Sequence, residues 1–189
     1  MNRLYTKKSL LLIGVCLTCA LLCCMARETA CKVPEKPSDS LTIIDTDGSR
    51  ISLSIENLNK MTQVEEKECI CVGEVVGFIG VFDYRGVRVA DLLKKAPAAT
   101  SLSLYQQKNL YMVFKGTDGY RVIASWIELT QTPCGLRTLI ALEKDGRPLS
   151  SDEGKLRVVF PGDKYAGRSV KCLETIEIRL APGLVDNQV

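Results

Sequence analysis

Two groups of residues in this chain have types and spacings that could do chemistry. The first is Cys69-Ile70-Cys71, which the alternation of a strand puts on one face as neighbouring thiols. As residues they read as halves of a disulfide to Cys134 or Cys172, or as buried free thiols. The second lies in the stretch Asp145–Lys171, where the apolar run Leu156–Phe160 closes on Pro161-Gly162 and leads into a loop carrying Lys164, Arg168 and Lys171. A buried strand that delivers three cations to an edge can hold an anion, because fixed backbone lowers the ordering cost and the cations give charge-assisted hydrogen bonds. The alternative is a solvated basic turn. The chain has no His, which excludes Ser-His and Cys-His nucleophile pairs and the commoner zinc sites. Glu65, Glu66 and Glu68 read as the solvated start of a strand, Asp118 and Asp145 as turn formers, and Trp126 as core. Tyr120 and Tyr165 suit a sheet edge, with or without a pocket beside them.

The chain that must position these groups has 189 residues, 46% of them hydrophobic, which suits one domain with a sizeable core. Residues 1–26 differ in kind. Arg3, Lys7 and Lys8 precede the apolar run Leu10–Leu22, the pattern of a signal peptide cleaved after Ala26. Cys16, Cys19, Cys23 and Cys24 raise lipid attachment, but Leu21-Leu22-Cys23 before Cys24 lacks the usual small residue, so a lipid anchor is the minority reading. The expected location is exported, periplasmic or membrane-anchored outside the cytoplasm. Removing residues 1–26 takes away three basic residues and lowers the formal charge from +3 to 0, which removes the main support for nucleic-acid binding. Cys31, Cys69, Cys71, Cys134 and Cys172 remain, an odd number in a disulfide-permissive compartment.

Residues 27–40 read as a linker with Pro34 and Pro37, residues 41–182 as the folded domain and 183–189 as a tail. Leu41–Ile44 and Ile51–Leu53 flank Asp47-Gly48 as a hairpin, and Ser54 caps a brief helix, Ile55–Lys60. Cys69–Phe82 is β-prone, with Gly73, Gly77 and Gly80 at bends and at the wrong spacing for a dinucleotide fingerprint. Val87–Lys94 reads as a helix ended by Pro97, and Leu110–Lys115 and Tyr120–Ala124 as a second hairpin. Ser125 caps a helix through Leu129. Leu136–Glu143, Leu156–Phe160 and a long last strand, Ser169–Leu180, follow, with a turn at Asp145-Gly146. Strands joined by tight turns outnumber helices, so the expected class is α+β with a mixed β-sheet core and short helices.

The order of these features resembles the molybdopterin-binding domain of the sulfite oxidase family of oxidoreductases. The resemblance is carried by Cys71, Tyr84-Arg85-Gly86-Val87-Arg88-Val89-Ala90-Asp91-Leu92-Leu93, Asp118-Gly119-Tyr120, Asp145-Gly146-Arg147-Pro148-Leu149, Gly154–Pro161 and Lys164-Tyr165 to Lys171. It implies a sulfite-oxidase-type fold over about Leu41 to Leu180 and a molybdopterin cofactor with molybdenum. It also implies that Cys71, with Cys69 as second choice, is the metal-ligating and catalytic thiolate, which suits a soft ligand to a high-valent metal. Arg157, Lys164, Tyr165, Arg168 and Lys171 are implied to bind the cofactor's anionic end. The sequence departs from the family in Tyr84 for the usual Trp, in Cys172 for a Trp of the last strand, and in lacking the His that helps enclose the pterin. The expected function is two-electron redox chemistry on a small substrate, with a separate electron-transfer protein as partner. The alternative is a cofactor-free binding or interaction module that uses the basic loop for an anionic ligand or a protein.

Overall fold

Short β-prone runs separated by turn residues fold into strands that must bury one face each, and here they do so in two five-stranded sheets. The computed structural model describes residues 38–182; the expected signal peptide over 1–26, the expected linker up to residue 37 and the expected tail 183–189 lie outside the described residues. The first sheet joins β1 (Ser40–Ile44), β2 (Arg50–Ser54), β5 (Leu110–Gly116), β6 (Arg121–Ser125) and β10 (Leu173–Leu180) in the order β2-β1-β10-β5-β6. β1 and β10 are parallel and the other pairs antiparallel. The second sheet joins β3 (Val64–Gly73), β4 (Gly77–Arg88), β7 (Leu139–Lys144) and β8 (Arg147–Pro148) in that order, with β9 (Arg157–Val159) also on β7.

Short helices fill the connections: α1 (Ile55–Asn59), α2 (Val89–Leu93), α3 (Pro97–Ser101), α4 (Leu104–Gln107) and α5 (Trp126–Gln131). Ser54 and Ser103 each form a capping box, and Ser125 accepts from the Glu128 amide, so serine oxygens satisfy N–H groups that such brief helices leave open. The main core draws on both sheets and the helices, with Leu41, Leu58, Leu92, Phe114, Ile140 and Ile176 fully buried. Phe114 and Phe160 meet edge to face at 5.7 Å. A smaller cluster contains Cys69, Cys71, Tyr84, Leu139, Ala141 and Val159. It forms the floor on which the chemistry-bearing residues stand.

The structure confirms the α+β architecture and alters several boundaries. Val87 belongs to β4, paired with Ile140, so the expected helix shrinks to Val89–Leu93. Pro97 opens α3 at its first turn, where its missing N–H has no intrahelical partner to lose. Gly135–Arg137 form a 3₁₀ turn ahead of β7, closed by the Thr138 amide donating to the Gly135 carbonyl, and Gly135 lies so close to Glu128 that a Cβ would fall 1.7 Å from its carbonyl oxygen. The last strand starts at Leu173, not Ser169. Cys172 has φ +47°, and its amide donates to the Glu153 carbonyl, which ends the alternation expected through 169–172.

Gly86, in the Tyr84-Arg85-Gly86 segment, lets β4 lie against β7 at a bulge, where a Cβ would stand 1.9 Å from the Ile140 carbonyl oxygen. Backbone cannot yield as a flexible side chain can. Gly86→Ala is therefore expected to cost about 3 kcal/mol or more in denaturant-induced unfolding, whereas Gly48→Ala, at an open turn with φ +84°, should cost less.

Candidate functional site around Cys71

β3 supplies the thiols. Cys69 and Cys71 point inward and Ile70 between them is 63% exposed, as the two-residue period requires. All four described cysteines, Cys69, Cys71, Cys134 and Cys172, are free thiols, so the disulfides considered from the sequence do not form among the described residues. Cys71 lies opposite Gly80 of β4. Its sulfur is 3.9 Å from the hydroxyl of Tyr84, a fully buried side chain on the same strand as Gly80. Burial pushes the Tyr84 phenol well above its ordinary range, with Arg157 acting in the opposite direction. Cys69 turns its sulfur toward the Glu66 carbonyl, at 3.5 Å, and burial pushes its thiol up to about 11.

β9 and the segments around it supply the charges. Arg157 donates from Nε to Ser169 Oγ at 2.7 Å and from Nη1 to Glu153 Oε1, and its guanidinium stands 5.7 Å from the Tyr84 ring centroid. Ser169 Oγ donates onward to the Val158 carbonyl at 2.7 Å. Glu153 is buried and also receives Lys144 at 3.5 Å and the Ser150 hydroxyl at 3.3 Å. Lys144 caps the Phe82 ring at 3.8 Å. Lys171 pairs with Asp152 at 3.4 Å, and the Ser150 hydroxyl, followed by Lys171, holds the Asp152 carboxyl below its usual range.

These groups enclose a cavity of about 190 Å³ lined by Cys71, Ile79, Phe82, Tyr84, Lys144, Asp152, Glu153, Arg157 and Lys171 among others. A smaller hollow of about 20 Å³ lies beside it, with Cys69, Cys71, Tyr165 and Ser169 in its walls. Three of the expected residues, Cys71, Arg157 and Lys171, thus share one cavity, and Tyr165 borders the adjoining hollow. Lys164 and Arg168 line neither. Arg168 instead clamps Asp163 through two bonds of 2.7 and 2.5 Å and reaches Glu128 on α5 at 2.8 Å, over the Phe160 ring. Those carboxylates raise the guanidinium pKa and keep it charged. Tyr120 donates to the Gly167 carbonyl at 2.5 Å, a second brace on the same loop.

Sequence reasoning missed Lys144 and the buried Glu153. Lys144 ends a strand and Glu153 sits in the polar run Ser150-Ser151-Asp152-Glu153, so neither has a local signal of its own. The acidic start of β3 also differs in part from a solvated run. Glu66 is tied to Arg137 at 2.7 Å with little side-chain exposure, and Glu68 takes φ +52° at a bulge.

The sequence model described as the oxidoreductase molybdopterin binding domain matches residues 30–183. No curated protein gives a significant match. Among solved structures, the sulfane dehydrogenase SoxCD from Paracoccus pantotrophus superposes with a TM-score of 0.58 at 17% identity, over 74% of this chain and 38% of that one. That likeness shows a shared fold, and the chain corresponds to well under half of its neighbour's length.

The raised Cys69 pKa means that the protonated thiol persists to about 11. Since the unfolded value is lower, stability contributed by Cys69 is present below the ordinary thiol pKa and is lost as pH rises toward 11. Peptide mass spectrometry after iodoacetamide labelling should show Cys69 lagging behind exposed Cys134 at neutral pH and approaching it only in strongly alkaline buffer.

Proposed function

The chain belongs to the oxidoreductase molybdopterin-binding domain family, and on that premise we propose that the Cys71 cavity is the metal end of a molybdopterin site in an exported oxidoreductase. The observation that carries this reading is the unpaired, buried Cys71 thiol facing a cavity it shares with Lys144, Arg157 and Lys171. The residues fit the group. A soft thiolate suits a high-valent metal already held by a dithiolene, and three cations against two carboxylates, Asp152 and Glu153, leave one positive charge facing an anionic cofactor. At about 190 Å³ the cavity suits the metal-bearing end rather than a whole cofactor, since small-molecule pockets begin at roughly 300 Å³.

Molybdopterin would supply the two-electron redox chemistry that side chains lack. The protein's part is to place and tune. Cys71 would hold the metal, and the Tyr84 hydroxyl gives the ligand sulfur a polar neighbour in an otherwise apolar cluster. Glu153 and Ser169 fix the Arg157 fork from two sides, so that it would meet an anionic cofactor without reordering. Lys171 and Tyr165 border the same region, and Lys164 stands exposed over the Tyr165 ring at 5.1 Å, available to an anionic end. Arg168 serves by holding the loop. The substrate is small, the electrons pass to or from a separate protein, and the site works in the periplasm or on its membrane. A second reading is favoured by one observation: Arg157, Lys144 and Lys171 already have carboxylate partners. On that reading the fold is a cofactor-free binding or interaction module.

Molybdenum analysis and pterin fluorescence on protein from a cofactor-competent host separate the two. The first reading expects stoichiometric metal and pterin, lost in Cys71→Ser and reduced in Arg157→Ala. Arg168→Ala should stay loaded while losing about 1–2 kcal/mol of folding stability from its broken charged hydrogen bonds. Protein without metal or pterin, with Cys71 oxidised, would establish the module instead.

A further inference from the structure

The β3–β4 hairpin ends in an apolar tip that no part of the described fold covers. Between Ile70 and Phe82 the only charged residue is Glu74, while the charges of β3, Glu65, Glu66, Lys67 and Glu68, gather at the root. Val75 is 96% exposed, Val76 76% and Phe78 69%, with Ile70, Ile79 and Val81 about half exposed or more. Ile70 pairs with Val81 across the ladder, and Gly73 with Gly77 at its end, so Val75 and Val76 project beyond the last strand pair. Such a connected apolar surface marks an interaction site.

We infer that this tip inserts into the interfacial layer of a lipid membrane. The form of the patch selects that occupant: it is a projecting turn rather than a flat face, apolar at its end apart from Glu74, with its other charges at its root. The one tip carboxylate, on exposed Glu74, leans toward the basic loop rather than along the hairpin axis, since a Cβ placed on Gly167 would lie 3.2 Å from its Oε1. Beside the hairpin, Tyr165 is 39% exposed and shares a hollow with Ile70. Lys164 lies over its ring with no ion-pair partner among the described residues. An amphipathic aromatic and an unpaired lysine flanking an apolar projection match the chemistry of the headgroup boundary, where rings anchor and lysine stems extend toward phosphate. Among the described residues no helix is long and apolar enough to cross a membrane, so the attachment assigned here is interfacial.

The chain has one Trp, Trp126, which is buried. This permits a direct test with two variants of the full-length chain that each add one Trp to the buried Trp126, Val75→Trp at the tip and Ile123→Trp at an exposed position on β6, subtracting the emission of the unmodified protein. Each is mixed with phosphatidylcholine–phosphatidylglycerol vesicles carrying either native or brominated acyl chains. The tip reporter should shift to the blue and lose about half its emission or more in brominated lipid, as side chains buried at the acyl boundary do, while the β6 reporter stays unquenched. Adding Val76→Asp should abolish the quenching. Equal quenching of both reporters would mean adsorption without orientation and would overturn the inference as well. An unquenched tip reporter would overturn the inference, whether the tip proved to be solvated or, by a concentration-dependent mass, covered by a second copy.

Discussion

The site depends on one buried ion pair. Arg157 and Glu153 lie almost out of water, and neither is tolerable there alone, because a buried charge stripped of its partner costs about 3–5 kcal/mol. Satisfying both draws in four separate pieces of chain. Glu153 recruits Lys144 from the end of β7 and Ser150 from the preceding turn, and Arg157 recruits Ser169 from the basic loop and faces Tyr84 on β4. The Cys172 amide closes the circuit by donating to the Glu153 carbonyl, which helps hold Cys172 in its left-handed conformation. Once this knot is tied, the wall opposite Cys71 has little freedom left.

The thiol side is built by the opposite means. Cys69 and Cys71 are held by apolar packing with Tyr84, Leu139, Ala141 and Val159, and among the described residues Cys71 has one weak polar contact, to the Tyr84 hydroxyl. A polarisable group in a dry floor faces a wall of fixed charge across a small cavity. That juxtaposition is suited to a ligand with a soft metal end and an anionic body, and it follows from the place of β7 within the second sheet, where it pairs with β4 on one side and with β8 and β9 on the other.

The basic loop divides its cations between two tasks. Lys171 lines the cavity and Lys164 faces solvent, but Arg168 is spent on Asp163 and Glu128, where a planar fork can bind two carboxylates at once. Together with the Tyr120 bond to Gly167, this clamp keeps Tyr165 and Lys171 in place without a ligand. A loop braced in this way pays little ordering cost on binding.

The sequence alone determined the local structure that short-range chemistry controls. Asp47-Gly48, Asp118-Gly119 and Asp145-Gly146 made their turns, Ser54 and Ser125 capped their helices, and the alternation around Cys69-Ile70-Cys71 put both thiols inside. The order of motifs also pointed to the family, because turn and strand signals keep their spacing even when individual residues differ. Tertiary structure decided the rest. Val87 became strand because Ile140 was there to pair with it, and Cys172 broke the last strand because Glu153 offered its carbonyl. Whether Arg168 or Lys144 faces the cavity depends on which carboxylates the fold sets beside each, Asp163 and the distant Glu128 in one case and the buried Glu153 in the other. A charge's partner is set by where the fold brings opposite charge and excludes water, and residue spacing carries no record of that.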